Sequence, residues 1–85
     1  MSATLIRVWV EEGRTGLVYS RSPDLAGLFG GEPDREALVS ETPAIIQALY
    51  LAKGNVVDVH QIGNPEAAGA PLAFAVIPRG PARLP

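Results

Sequence analysis

Eighty-five residues leave room for one domain, and a chain this short buries only about 60% of the surface its unfolded form exposes, so its core is marginal and oligomerisation is a common remedy. Apolar residues make up 47% and charged residues 19%, an excess that belongs in a core or an interface. The absence of cysteine excludes disulfides and thiolate metal sites, and a net charge of −2 with dispersed bases argues against a phosphate-binding surface.

Residues 4–11 alternate, with Ile6, Val8 and Val10 on one face and Leu5, Arg7, Trp9 and Glu11 on the other, which predicts a half-buried strand. The polar stretch Glu11–Gly16, with two glycines, predicts a hairpin turn. Leu17–Arg21 is the return strand, stopped at Ser22-Pro23-Asp24 because proline cannot donate to a central ladder. Leu25, Leu28 and Phe29 suit a short third strand, which Gly27, Gly30 and Gly31 weaken.

Residues 34–53 carry an apolar stripe at spacings of three and four, Leu38, Thr42, Ile45, Leu49 and Ala52, flanked by Val39, Ile46 and Tyr50. That pattern predicts an amphipathic helix. Asp34 suits its N-cap, Glu36 its first turn, and Lys53-Gly54 its C-terminus. Pro43 interrupts it, so the segment is either one kinked helix or two pieces; the stripe stays in phase across Pro43, which favours one kinked element.

Asn55–Ile62 alternates again as a strand, and the Gly-, Ala- and Pro-rich stretch 63–71 is a loop. Leu72–Ile77 is apolar on both faces, so it is a strand covered on both sides or a strand in an interface. Pro78 is expected to end it, leaving 79–85 as a flexible Pro-rich tail. The order β-β-β-α-β plus a C-terminal strand predicts an α+β fold, an antiparallel sheet with one kinked helix packed on one face. Met1–Thr4 lacks the basic-then-apolar pattern of a signal peptide, and no apolar run reaches the ~20 residues a bilayer requires. The expectation is a cytoplasmic protein without a membrane segment.

From about Val10 to Leu51 the chain resembles the HicB-like antitoxin domains and their short stand-alone relatives of unknown function. The likeness is carried by the corner Ser22-Pro23-Asp24-Leu25-Ala26-Gly27-Leu28 and by the acidic-start helix Asp34–Ile46 with its proline. It departs from the family at Ala26, where a second proline is usual, and at Gly30-Gly31, where the third strand normally continues. The resemblance implies that residues 1–78 form a single HicB-like domain, that it self-associates, and that the partner of a true antitoxin is a small ribonuclease toxin. No helix-turn-helix segment follows residue 55, so DNA binding is not carried over.

Catalytic chemistry finds little support in these residues. The single histidine, His60, would need a partner and a pocket to act as acid or base; on a strand beside Asp58 it reads as an exposed or hydrogen-bonded side chain. The acids Glu11-Glu12 and Glu32, Asp34 and Glu36 flank a turn and a helix start, where acids serve solubility and the helix dipole. Gly27–Gly31 lacks the Lys-Ser/Thr ending of a phosphate loop, and no serine sits in a nucleophile elbow. No cofactor and no metal are expected, and the chain is read as not an enzyme.

The expected function is therefore non-catalytic protein binding, as a homo-oligomer or with a small basic toxin-like protein. The interface residues are Leu5, Trp9, Leu72, Phe74 and Val76. Exposed aromatics near an arginine suggest such a surface, unless the C-terminal strand or tail covers Leu5 and Trp9 within the chain. A small nucleic-acid-binding module of a helix-on-sheet fold is the alternative, disfavoured by the lack of a basic face.

Overall fold

The computed structural model describes residues 3–63 and 70–81. Its elements are β1 (Thr4–Glu12), β2 (Val18–Arg21), β3 (Phe29–Glu32), α1 (Arg35–Ala52), β4 (Asn55–Ile62) and β5 (Leu72–Pro81). The five strands form one antiparallel sheet in the order β3-β2-β1-β5-β4. The α+β class and the single helix on one face follow the sequence expectation.

β1 is central because it pairs on both sides, Val10 with Ser20 of β2 and Ile6 with Phe74 of β5. The β1–β2 hairpin closes where Gly13 N–H donates to the Leu17 carbonyl at 2.8 Å, with Gly16 at φ 81°, a left-handed angle that glycine adopts without strain. β3 and β4 lie at opposite edges, so α1 must carry the chain across the whole sheet. Its 18 residues span ~27 Å, enough to cross four inter-strand gaps of ~4.8 Å.

The helix starts as its sequence predicts. Asp34 is the N-cap, accepting from Ala37 N–H at 2.7 Å, and Gly54 follows the C-cap Lys53 at φ 86°. It is a single element through Pro43. Pro43 has no N–H to give the Val39 carbonyl, while one residue earlier the buried Thr42 hydroxyl donates to the Leu38 carbonyl at 2.7 Å. A buried polar side chain is thereby satisfied inside the helix's own backbone.

The core lies between α1 and one face of the sheet. Ile6 and Val8 of β1, Leu72, Phe74 and Val76 of β5, and Val57 of β4 meet Leu38 and Ile46 of the helix, all nearly inaccessible to solvent. Leu25 and Leu28, expected near a third strand, instead lie in the loop before it and close one end of this core.

The sequence reading holds in one detail and fails in another. The third strand forms as expected, and the glycine that weakens it on paper is a requirement of packing: a Cβ on Gly30 would stand 2.8 Å from Ser20 Oγ and 2.9 Å from Leu38 Cδ1. The absent side chain is what lets the helix rest on β3. β5, however, does not stop at Pro78 but runs to Pro81, so the boundary expected at residue 78 is misplaced, and of the expected tail residues 82–85 lie outside the described residues. Pro78 pairs only with Val57 of β4, because β1 begins at Thr4, opposite Val76. On that one-sided stretch the missing N–H breaks no ladder with β1. A bulge there leaves Arg79 unmatched between the pairs Val57–Pro78 and Val56–Gly80.

Gly30→Ala is expected to cost about 1–3 kcal/mol in urea unfolding through overpacking against Leu38. Gly31→Ala, whose Cβ would meet only Tyr19 at 3.4 Å, should cost less. Ser20 Oγ is the buried side-chain oxygen without a partner among the described residues, so Ser20→Ala should be neutral or stabilising. Equal losses for the two glycine variants would contradict this packing.

Candidate interaction surface

Strand alternation sends one set of side chains into the core and the other set to the opposite sheet face, and the described residues put no element on that face. Register places Leu5, Arg7, Trp9 and Glu11 there from β1, Tyr19 and Arg21 from β2, and Phe29 from β3. Ala73, Ala75 and Ile77 of β5 join them, with Asp58, His60 and Ile62 of β4. Phe29 is 67% exposed, Leu5 54%, Ile62 51% and Ile77 36%, so apolar surface runs from one sheet edge to the other.

The expected interface residues divide accordingly. Leu5 and Trp9 lie on this open face, Leu5 exposed and Trp9 half-buried. Leu72, Phe74 and Val76 do not: they are 1%, 0% and 1% exposed beneath α1, and their assignment to an interface is corrected. The outward residues of that strand are Ala73, Ala75 and Ile77. Tyr19 and Phe29, absent from the expected set, complete the surface with ring centroids 5.7 Å apart. Strand parity points to Tyr19 once the β1–β2 register is known; Phe29 required the third strand to form.

Trp9 is held between two arginines. The Arg7 guanidinium carbon stands 5.3 Å and that of Arg21 6.0 Å from the indole centroid. Each arginine has its own acid. Arg21 Nε donates to Glu11 at 2.8 Å, and Arg7 grips Asp24 through Nε at 2.8 Å and Nη2 at 2.9 Å. The result is a ladder, Asp24–Arg7–Trp9–Arg21–Glu11, across the centre of the face. Each guanidinium is thus paired with a carboxylate while staying half exposed or more.

Asp24 does more than hold a charge. β2 ends opposite Trp9, so at Arg7 the β1 backbone has no strand on its β2 side. The corner takes that place: Arg7 N–H donates to Asp24 Oδ2 at 2.9 Å, and the Ser22 hydroxyl donates to the Arg7 carbonyl. Ser22 Oγ also accepts from Asp24 N–H at 3.1 Å. Two side chains thereby replace a strand's hydrogen bonds. Hydrogen bonds from the Arg7 side chain and backbone, aided by its charge, outweigh partial burial and lower the Asp24 pKa from 3.8 to about 2.

On the helix side, Glu32 titrates above its ordinary value, first through hydrogen bonding to Glu41, then through burial and the charges of Glu41 and Asp34. His60 is exposed on β4 opposite Ala75. A cleft of about 350 Å³ opens beside the aromatic pair, lined by Glu11, Tyr19, Ser20, Arg21 and Phe29. Among the described residues no three His, Cys, Asp or Glu side chains converge as a metal site, and no helix is long and apolar enough to cross a membrane.

Comparison with protein-family models finds no match, and neither do searches of curated proteins and of solved structures.

The Asp24 carboxyl is expected to titrate near pH 2 by NMR and to return toward 3.8 in Arg7→Leu. Its folded-state pKa lies below the unfolded value, so its contribution to stability is full above about pH 4 and is lost as pH falls toward 2. Asp24→Asn should flatten that part of the pH–stability profile. An unshifted Asp24 midpoint in the wild type would contradict the corner's role.

Proposed function

We propose that this chain is a non-catalytic protein-interaction domain that binds through the open face of its sheet. The observation that carries the reading is the line of apolar and aromatic side chains, exposed at Leu5 and Phe29 and half-buried at Trp9 and Tyr19, on the sheet face opposite α1. Large amphipathic rings held in fixed positions make effective interface anchors, since little side-chain freedom is lost on binding. The ladder supplies that fixity for Trp9, and the cleft beside Tyr19 and Phe29 is large enough to take an inserted side chain.

The HicB-like motifs of Val10–Leu51 suggest the class of partner, a small ribonuclease toxin. The same corner that carries the likeness, Ser22-Pro23-Asp24, braces the strand bearing Trp9. Aromatics on an exposed sheet also favour a second reading, stacking of single-stranded nucleic acid. Against it, Arg7 and Arg21 are each neutralised by an acid and the net charge is −2.

Affinity capture from the native host tests the first reading. Wild-type protein should retain a discrete small protein, and Leu5→Asp and Phe29→Asp should lose it while keeping the wild-type circular dichroism and unfolding midpoint. Equal retention by these variants would overturn the assignment of the face. Retention of salt-labile RNA or DNA in place of protein would transfer the face to nucleic acid.

A further inference from the structure

The open face is not the sole unpartnered surface. β4 is an edge strand, and the direction of its free backbone groups follows from the register. The Arg7 N–H and carbonyl both engage the corner on the β2 side. Antiparallel alternation then turns Ile6 and Val8 toward β5, and their partners Phe74 and Leu72 toward β1. Ala73, Ala75 and Ile77 therefore bond to Ile62, His60 and Asp58 of β4. Val57, Val59 and Gln61 are left with N–H and carbonyl groups directed outward. Among the described residues the one side chain that covers this edge is Gln47, whose Nε2 donates to the Val57 carbonyl at a long 3.4 Å.

Edge strands are ordinarily protected by proline, lysine, shortness or an overlying element. Asn55–Ile62 has eight residues and neither proline nor lysine. At the other edge, β3 has four residues. Among the described residues, the long edge is thus the less protected one, guarded by Asp58 and by the bulge at its start.

We infer that β4 pairs antiparallel with β4 of a second copy of this chain about a two-fold axis at Val59, joining two five-stranded sheets into one of ten. This deepens the reading as an interaction domain, and rests on it, by naming the self-association surface. The register is chosen by chemistry. Centred on Val59, Asp58 faces His60 of the second copy twice, Val56 faces Ile62 twice, and Val59 faces itself. A carboxylate and an imidazole that can donate to it, and apolar pairs, then stand directly across from one another. Centring on Asp58 would set two carboxylates together, and centring on His60 would set two imidazoles together and Asp58 against Ile62. Asp58 has a second neighbour, Arg79 at 3.7 Å on its own chain, a contact loose enough to leave the carboxylate able to accept from the histidine as well.

The helices agree with this symmetry. Leu51 is one turn beyond Gln47 on α1, beside the start of β4, and is 55% exposed. A groove of about 640 Å³, lined by Glu36, Val39, Ser40, Gln61 and Gly63 among others, lies at the other end of the strand. An axis at Val59 sets residue 55 opposite residue 63, which brings Leu51 of each copy toward the groove of the other.

The cysteine-free sequence makes the register directly readable. Asp58 and the facing His60 form a non-hydrogen-bonded pair with Cα atoms ~4.5 Å apart, within the range a disulfide spans. Mixing full-length Asp58→Cys and His60→Cys under mild oxidation should give a disulfide-linked heterodimer, while either variant alone stays unlinked. The wild type should sediment as a dimer at micromolar concentration, and His60→Asp should raise the dimer Kd by about tenfold through like charges across both pairs. A wild type that stays monomeric at several hundred micromolar would overturn the inference. So would linkage of His60→Cys to itself, or a dimer that the mixture fails to link and Phe29→Asp dissolves. Those failures leave partner capture by the open face intact, and loss of that capture assay leaves the cross-link intact, so the two proposals fail separately.

Discussion

One helix cannot cover both faces of a five-stranded sheet. α1 reaches from β3 at one edge to β4 at the other, and that diagonal covers the middle of one face: Ile6, Val8, Phe74 and Leu38 are all but inaccessible. The other face receives no element from the described residues. Its composition is more apolar than solvent exposure alone requires. Alternation alone would permit a polar face there, as in many antiparallel sheets, yet Leu5, Phe29, Ile62 and Ile77 are exposed on it.

The charges on that face hold side chains in place. Arg7 and Arg21 both stand against the Trp9 ring, and each is paired with an acid, Asp24 or Glu11. Such exposed ion pairs add little stability individually. Their effect is positional: a tryptophan clamped on a sheet loses less freedom when a partner covers it. The Asp24 corner joins this surface to the fold, since the carboxylate that orients Arg7 also completes the hydrogen bonding of β1 where β2 has ended. A substitution in the corner therefore disturbs the open face and the sheet together.

Much of this fold was legible in the sequence where information is local. The parity of Thr4–Glu11, the Asp34 cap, Gly54 and the in-phase stripe across Pro43 each place an element with a short-range physical rule. What was not legible depended on contacts distant in sequence. Leu72–Ile77 is apolar at every position, so parity could not say which residues face inward. Side-chain volume held a clue, since bulky Leu72, Phe74 and Val76 fill the space under the helix while Ala73 and Ala75 lie opposite. Gly30 read as a weakness because its reason, the seat of Leu38 and Ile45, lies on another element. Pro78 read as a stop because nothing local reveals that β1 has already ended beside it. Of the candidate site, Leu5 and Trp9 were found from alternation; the Arg7–Asp24 contact, made between β1 and a corner two strands' length away in sequence, had no local signal.

The central claim, that the sheet face opposite the helix is open in the free chain, is tested most directly by NMR at low concentration with a soluble paramagnetic probe. The account predicts strong broadening of the Leu5, Ile62 and Ile77 methyl signals and of the Phe29 ring, with Leu38, Phe74 and Val76 protected. Protection of Leu5, Phe29 and Ile62 at the same dilution would show that the chain covers this face itself, and would contradict the account.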